Sequence, residues 1–276
     1  MLISAKLAPT FPYAQLERFW RDADDLGFHA IWNYDHFYGL GGGLNDFKAE
    51  TLEGWTSLAA MAAIVKRARI GCMVTGVTYR HPAVLANMAT TVDHISGGRL
   101  EFGIGAAWHE PEHAGYGIAY PSAGTRIAML DEACTLIKML WTQESSDFAG
   151  AHYQLNAAVM EPKPVQKPHP PIVIGGTQPK ILRVIARHAN EWNAVAFDTS
   201  QWALQSKQLD EACAEVGRDP AAIRRGVQLF LHPTQEGQIE QQMATLPVFE
   251  DAGCEHVVLS FYQPPTRAQL EKVAPK

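Results

Sequence analysis

Cysteine is scarce in this 276-residue chain: Cys72, Cys134, Cys213 and Cys254 lie far apart, with no C-x-x-C pair. The spacing speaks against a disulfide framework and for reduced, mostly buried thiols, with one reactive thiol as the minor reading. Long apolar runs are missing too. The stretch 58–65 closes at Lys66 and Arg67, far short of the roughly 20 residues that span a bilayer. Basic blocks are absent: 23 lysines and arginines face 29 acids, for a formal charge of −6. Nucleic acid is therefore not expected as a main partner. The first residues show no basic start leading into an apolar stretch, so a cytoplasmic protein with neither secretory signal nor membrane contact is expected. Charged residues make up 19% against 47% hydrophobic ones, which excludes disorder, collagen and coiled coil.

What is present is alternation. Hydrophobic spacing predicts strands over 2–7, 29–33, 69–75, 100–104, 171–174, 190–196, 225–231 and 256–260. Helical spacing falls between them, over 16–26, 53–65, 82–95, 127–141, 178–188, 202–216 and 236–252, with a last helix from about 266. Glycine or proline punctuates most boundaries. Two domains would suit the length, but alternating strands and helices imply a parallel sheet with crossovers. About eight units in this length favour one (β/α)₈ TIM barrel over residues 1–276. A small hairpin near Gly150 and the prolines from Pro162 to Pro171 form an insertion before strand five. Residues 105–124 read as a long irregular loop.

Barrel chemistry sits on the loops after the strands, so residues there become candidates. Asp35-His36 ends strand two among aromatics; a histidine there can exchange a proton near neutrality, although a packed histidine is the bland alternative. Gly175-Gly176-Thr177 lies between a strand and a helix, where glycine amides and a helix N-terminus can hold a phosphate; a plain tight turn is the alternative. No P-loop pattern accompanies it. Gly103-x-Gly105-x-x-Trp108 lacks the third glycine and the following helix of a dinucleotide fingerprint, so it is read as a glycine pair that admits a flat ring. Thr75-Gly76-Val77-Thr78 closes strand three. His109-Glu110-Pro111-Glu112-His113 matches the zinc motif H-E-x-x-H by letter, but Pro111 disfavours the helix that the motif needs and no third ligand is evident. A metal is therefore not expected.

Several blocks together resemble the luciferase-like flavin/deazaflavin oxidoreductase superfamily. They are Ile31-Trp32-Asn33-Tyr34-Asp35-His36-Phe37, Val77-Thr78-Tyr79-Arg80-His81-Pro82-Ala83, Asp93-His94-Ile95-Ser96-Gly97-Gly98-Arg99-Leu100 and Gly103-Ile104-Gly105-Ala106-Ala107-Trp108. Glu161-Pro162-Lys163-Pro164-Val165-Gln166-Lys167-Pro168 and Pro171-Ile172-Val173-Ile174-Gly175-Gly176 complete the set. The wording is most similar to the branch that uses the deazaflavin coenzyme F-420. The resemblance implies a barrel with an insertion, and a cofactor ring against a bulge after strand three with a non-prolyl cis peptide at Gly76-Val77. It implies His36 as the acid/base and Asp35, Gly76, Val77, Thr78, Gly105, Ala106, Ala107, Gly175, Gly176 and Thr177 around the cofactor. Leu40, Trp108, His109 and Trp192 would line the substrate pocket, with 39–46 as a lid. Relatives that oxidise sugars carry a tryptophan near Leu40 and an acid near Ala106-Ala107-Trp108; both are missing, so a reductase of a small organic substrate is expected.

The expected cofactor is therefore coenzyme F-420, an 8-hydroxy-5-deazaflavin, with FMN and monooxygenation as the alternative. A zinc hydrolase built on His109 and His113 and a barrel that binds ligand without turnover are the remaining readings. Oligomeric state is open, with a homodimer as the common general case.

Overall fold

The computed structural model describes residues 1–39, 47–196 and 198–275. The chain opens with β1 (Leu2–Leu7), α1 (Tyr13–Asp25), β2 (Ala30–Asn33), α2 (Gly54–Ile64), β3 (Arg69–Cys72), β4 (Thr75–Gly76) and α3 (Pro82–Ser96). It continues through β5 (Leu100–Gly105), α4 (Glu110–Tyr116), α5 (Ala123–Thr142), β6 (Ser146–Ala149), β7 (Gln154–Ala158) and β8 (Ile172–Gly175). It ends with α6 (Pro179–His188), β9 (Glu191–Val195), α7 (Thr199–Glu215), β10 (Arg224–Leu231), α8 (Gln238–Met243), α9 (Leu246–Asp251), β11 (His256–Phe261) and α10 (Arg267–Val273).

Parallel pairing runs β1-β2-β3-β5-β8-β9-β10-β11 and returns to β1, closing an eight-stranded (β/α)₈ barrel. The antiparallel β6–β7 hairpin stands apart, before the fifth barrel strand. Period-two alternation divides each strand. In β1, Ala5 and Leu7 join the large core beneath the helices, while Ser4 and Lys6 take the intervening positions. Helices pack by a stripe: in α1, Leu16, Phe19, Trp20 and Ala23 are buried, and Gly27 stops the chain at φ +85°, a conformation that favours glycine. Burying each such large side chain contributes roughly 1.5–3 kcal/mol.

The Ser-Gly-Gly-Arg turn proves to be a structural clamp. Arg99 donates to the carbonyls of Val65, Ala68 and Ser96 at 2.6–2.8 Å, and more distantly to Ala62. It thereby satisfies the carbonyls that α2 leaves open at its C-terminus. The proline connector is held in a similar way. Lys163 donates to the carbonyls of Leu140, Gln143 and Met160, and Glu132 of α5 accepts the amides of Ala151, His152 and Tyr153 at the hairpin turn.

Four expectations change. The strand expected over 69–75 breaks into β3 and β4, and the non-prolyl cis peptide lies at the break, Met73-Val74, not at Gly76-Val77. The loop expected over 105–124 contains α4 and the start of α5. The helix expected over 236–252 is two, α8 and α9. Pro247 stands in the first turn of α9, where its missing N–H is tolerated; further inside a helix it would clash with the preceding turn. The expected lid at 39–46 lies, except for Gly39, outside the described residues, as does Leu40. All four cysteines are buried and free. Burial pushes the Cys134 and Cys254 thiols up to about 12, which keeps them protonated and unreactive. Among the described residues, no helix is long and apolar enough to cross a membrane.

Candidate active site

The C-terminal ends of the barrel strands surround a cavity of about 580 Å³, the position where such barrels carry their chemistry. His36, just beyond β2, lines it. Its ring meets Tyr34 and Trp108 edge-on, with centroids 5.0 and 5.5 Å away. Nδ1 lies 3.0 Å from Oε2 of Glu112 on α4.

Glu112 is fully buried and gathers further donors. The amides of Phe37 and Tyr38 reach it at 3.0 and 3.1 Å and the Tyr79 hydroxyl at 2.6 Å. Burial alone would raise its pKa, but the hydrogen bond and charge of His36, then Tyr79 and the Tyr38 amide, pull it down to about 2. An ionised Glu112 can only accept, so His36 carries its proton on Nδ1 in the neutral state. Nε2, with no partner among the described residues, is left to exchange a proton with a bound molecule.

Asp35 is locked differently. Arg80, two residues before α3, forks onto both of its oxygens at 2.5 and 3.0 Å and also reaches Glu53. Glu53 in turn caps α2 by accepting the amides of Trp55 and Thr56. Burial would lower the Arg80 pKa, but the hydrogen bond and charge of Asp35, with Glu53, raise it further, so the guanidinium stays charged. Lys6 of β1 lines the cavity itself and donates to Oε1 of Gln228 on β10 at 2.8 Å.

One wall is almost bare of side chains. Gly76, Gly105, Ala106 and Ala107 line it together with Met73 and Val74 at the cis peptide. Ala107 holds φ +58°, an uncommon conformation for a residue with a Cβ. Beyond β8, Gly175, Gly176 and Thr177 line the cavity ahead of α6, whose N-cap Gln178 makes no side-chain cap. Neither the Gly176 nor the Thr177 amide is hydrogen-bonded among the described residues. A Cβ at Gly175 would meet only the Asn193 carbonyl, at 3.3 Å. Asn193 of β9 also lines the cavity, and its buried Nδ2 has no partner among the described residues. An orphaned donor, open amides and a flat backbone wall fit a planar ring with an anionic tail.

The sequence profile of the luciferase-like monooxygenases matches residues 3–270. The chain belongs to that family. A Mycobacterium tuberculosis protein of uncharacterised function is 34% identical over 177 residues, which is 63% of this chain and 61% of the relative. The pyrimidine monooxygenase RutA of a Bradyrhizobium species is 32% identical over 206 residues, 72% of this chain and 56% of RutA. The chain thus aligns with about 60% of the length of these curated relatives. An F420-dependent secondary alcohol dehydrogenase, solved with an F420–acetone adduct, shares the fold at TM-score 0.84 and 19% identity, covering 99% of this chain and 97% of that one.

For this luciferase-like protein the structure gathers Asp35, His36, Gly76, Gly105, Ala106, Ala107, Trp108, Gly175, Gly176 and Thr177 around one cavity. Other expected residues lie elsewhere. Val77 belongs to the hydrophobic core. Thr78 turns to His113, 2.7 Å away. Trp192 is fully buried, donates to the Gly176 carbonyl and stacks on Trp202 of α7. Alternation along β9 puts its neighbour Asn193 in the cavity instead. His109 packs behind His36, ring centroids 5.9 Å apart, and does not line the cavity.

The H-E-x-x-H letters do not make a zinc site. His113 spends Nε2 on Thr78 and Nδ1 on the His109 carbonyl, and Glu110 is exposed. His36, His109 and Glu112 do bring ligand atoms within 4.8 Å of one another, but the Glu112 oxygens are already taken by His36, Tyr79 and two amides. Sequence reasoning missed Glu112, Tyr79 and Lys6. Lys6 carried a signal, a charge inside an otherwise apolar strand; Glu112 and Tyr79 depend on contacts across more than thirty residues.

Proposed function

We propose that this chain is a coenzyme F-420-dependent oxidoreductase, acting as a reductase on a small organic substrate. The observation that carries the reading is the pairing of a side-chain-poor wall with a carboxylate-oriented histidine in one cavity. When bound, the reduced deazaflavin supplies a hydride and, lacking the ring nitrogen that supports oxygen activation, no oxygen chemistry. Gly76, Gly105, Ala106 and Ala107 would hold the ring, and Gly175, Gly176 and Thr177 the phosphate of the tail. Asn193 offers its orphaned donor. His36 supplies or removes the accompanying proton at Nε2, while Glu112 holds the tautomer and Tyr79 steadies Glu112. The fold-wide likeness to an F420-dependent alcohol dehydrogenase supports this choice of cofactor.

An FMN-dependent monooxygenase is the second reading, supported by the 32% identity to RutA, itself named a monooxygenase. Titrating the purified protein with coenzyme F-420 and with FMN, followed by fluorescence, tests the two. Tighter binding of F-420 is expected; tight FMN binding without F-420 binding would replace the first reading by the second.

A further inference from the structure

We propose that Lys6 is the substrate-recognition residue of this cavity, receiving a carboxylate of a small organic acid whose planar or apolar body rests on the Phe230–Tyr262 shelf. The assignment of that ligand as substrate rests on the cofactor reading above.

Lys6 is a buried cation whose charge no side chain among the described residues answers. Among the described residues, no carboxylate comes within 4.0 Å of Nζ. The nearby acids are committed, Asp35 to Arg80 and Glu112 to His36. The groups that face the ammonium are neutral: Gln228 of β10 as its acceptor, the Tyr34 ring 5.9 Å away, the Cys72 thiol of β3, and Ser260, its register partner on β11. Burial holds the Lys6 pKa down at about 8. One of its three N–H donors goes to Gln228, so two remain for a ligand. A buried ammonium is costly unless an anion pairs with it.

Position separates this corner from the cofactor wall. The bare wall belongs to β4, β5 and β8, whereas Lys6, Gln228 and Ser260 come from β1, β10 and β11, across the closed sheet. Above them Phe230 and Tyr262 stack at 5.4 Å, and His232 lies over Tyr262 at 4.1 Å. A cation at the floor beneath an aromatic shelf selects a ligand with a charged end and a flat or apolar body.

Benzoate is the probe, with benzyl alcohol as its neutral counterpart. Calorimetric titration into protein saturated with F-420 is expected to show benzoate binding that weakens about 10- to 100-fold in Lys6→Met, the range for hydrogen bonds to charged groups. Benzyl alcohol should bind both proteins alike. A readout that needs no variant is the ¹³C signal of reductively methylated Lys6, whose titration should move to higher pH when benzoate is bound. Equal benzoate affinity in wild type and Lys6→Met, or no benzoate binding, overturns the proposal. Competition between benzoate and F-420 also overturns it, because Lys6 would then serve the cofactor. Failure of F-420 to bind while benzoate still depends on Lys6 would overturn the cofactor reading and leave Lys6 as the anion site.

Discussion

His36 and Glu112 form the smallest unit with chemical meaning, and each can be removed separately. His36→Ala leaves the glycine wall and the Gly175–Thr177 amides intact. Hydride-transfer turnover should therefore fall about 10²–10⁴-fold while cofactor affinity, read by fluorescence titration, stays near wild type; an unchanged rate would remove His36 from the reaction. Glu112→Gln strikes the orienting group. The amide keeps one acceptor oxygen but loses the charge that His36, Tyr79 and two backbone amides share. A loss of about 1–3 kcal/mol in denaturant unfolding at neutral pH is expected. The sign with pH follows from the direction of the shift: the folded pKa is depressed to about 2. The contribution is thus whole above about pH 4.5, the ordinary glutamate range, and lost as pH falls toward 2. The gap between Glu112→Gln and wild type should close over that interval.

At the scale of elements, the glycines of the strands do two different jobs, and substitutions separate them. A Cβ at Gly103 in β5 would fall 1.9 Å from the Cys72 carbonyl of β3. Gly103→Ala should therefore destabilise the barrel by about 3 kcal/mol, the upper range for overpacking, measured by chemical denaturation. Gly175→Ala would set a Cβ 3.3 Å from the Asn193 carbonyl, a tight contact but no clash, at a position that lines the cavity. It should cost far less stability than Gly103→Ala and weaken cofactor binding. The Gly-x-Gly pair was legible in sequence as a place of close approach, yet its first member serves strand packing and only Gly105 lines the cavity. Strands and most helices were legible because period-two and period-3.6 burial writes directly into residue order. Glu112 was not, because α4 is seven residues long, too short for a periodic stripe, and its contact with His36 spans 76 residues. Trp192 was misplaced for a local reason: one step along a strand exchanges the two faces.

Across the whole molecule, a half-buried histidine and a buried lysine help shape how stability answers pH, and they act in different windows. His29 is pushed down to about 4 by burial first, then by the positive charge of His256, Arg224 and Arg69. Between pH 4 and the ordinary histidine value of 6.5, the unfolded chain binds one more proton than the folded one, so stability is lost as pH falls through that range. Glu112 extends the loss to lower pH. Lys6 works at the other end. Its folded pKa of about 8 lies below the ordinary 10.5, so the unfolded chain again binds the extra proton, now between pH 8 and 10.5. Its cost, on the order of 3 kcal/mol, is therefore complete below pH 8 and relieved as pH rises. A residue retained at that cost in a cavity wall fits a role in recognition better than one in folding. Lys6→Met, of similar length and without charge, should raise unfolding stability at pH 7 and converge with wild type by about pH 10.5. His29→Gln should flatten only the acidic limb between pH 6.5 and 4. A Lys6→Met protein that is no more stable than wild type at pH 7 would mean that the ammonium is already compensated inside the fold.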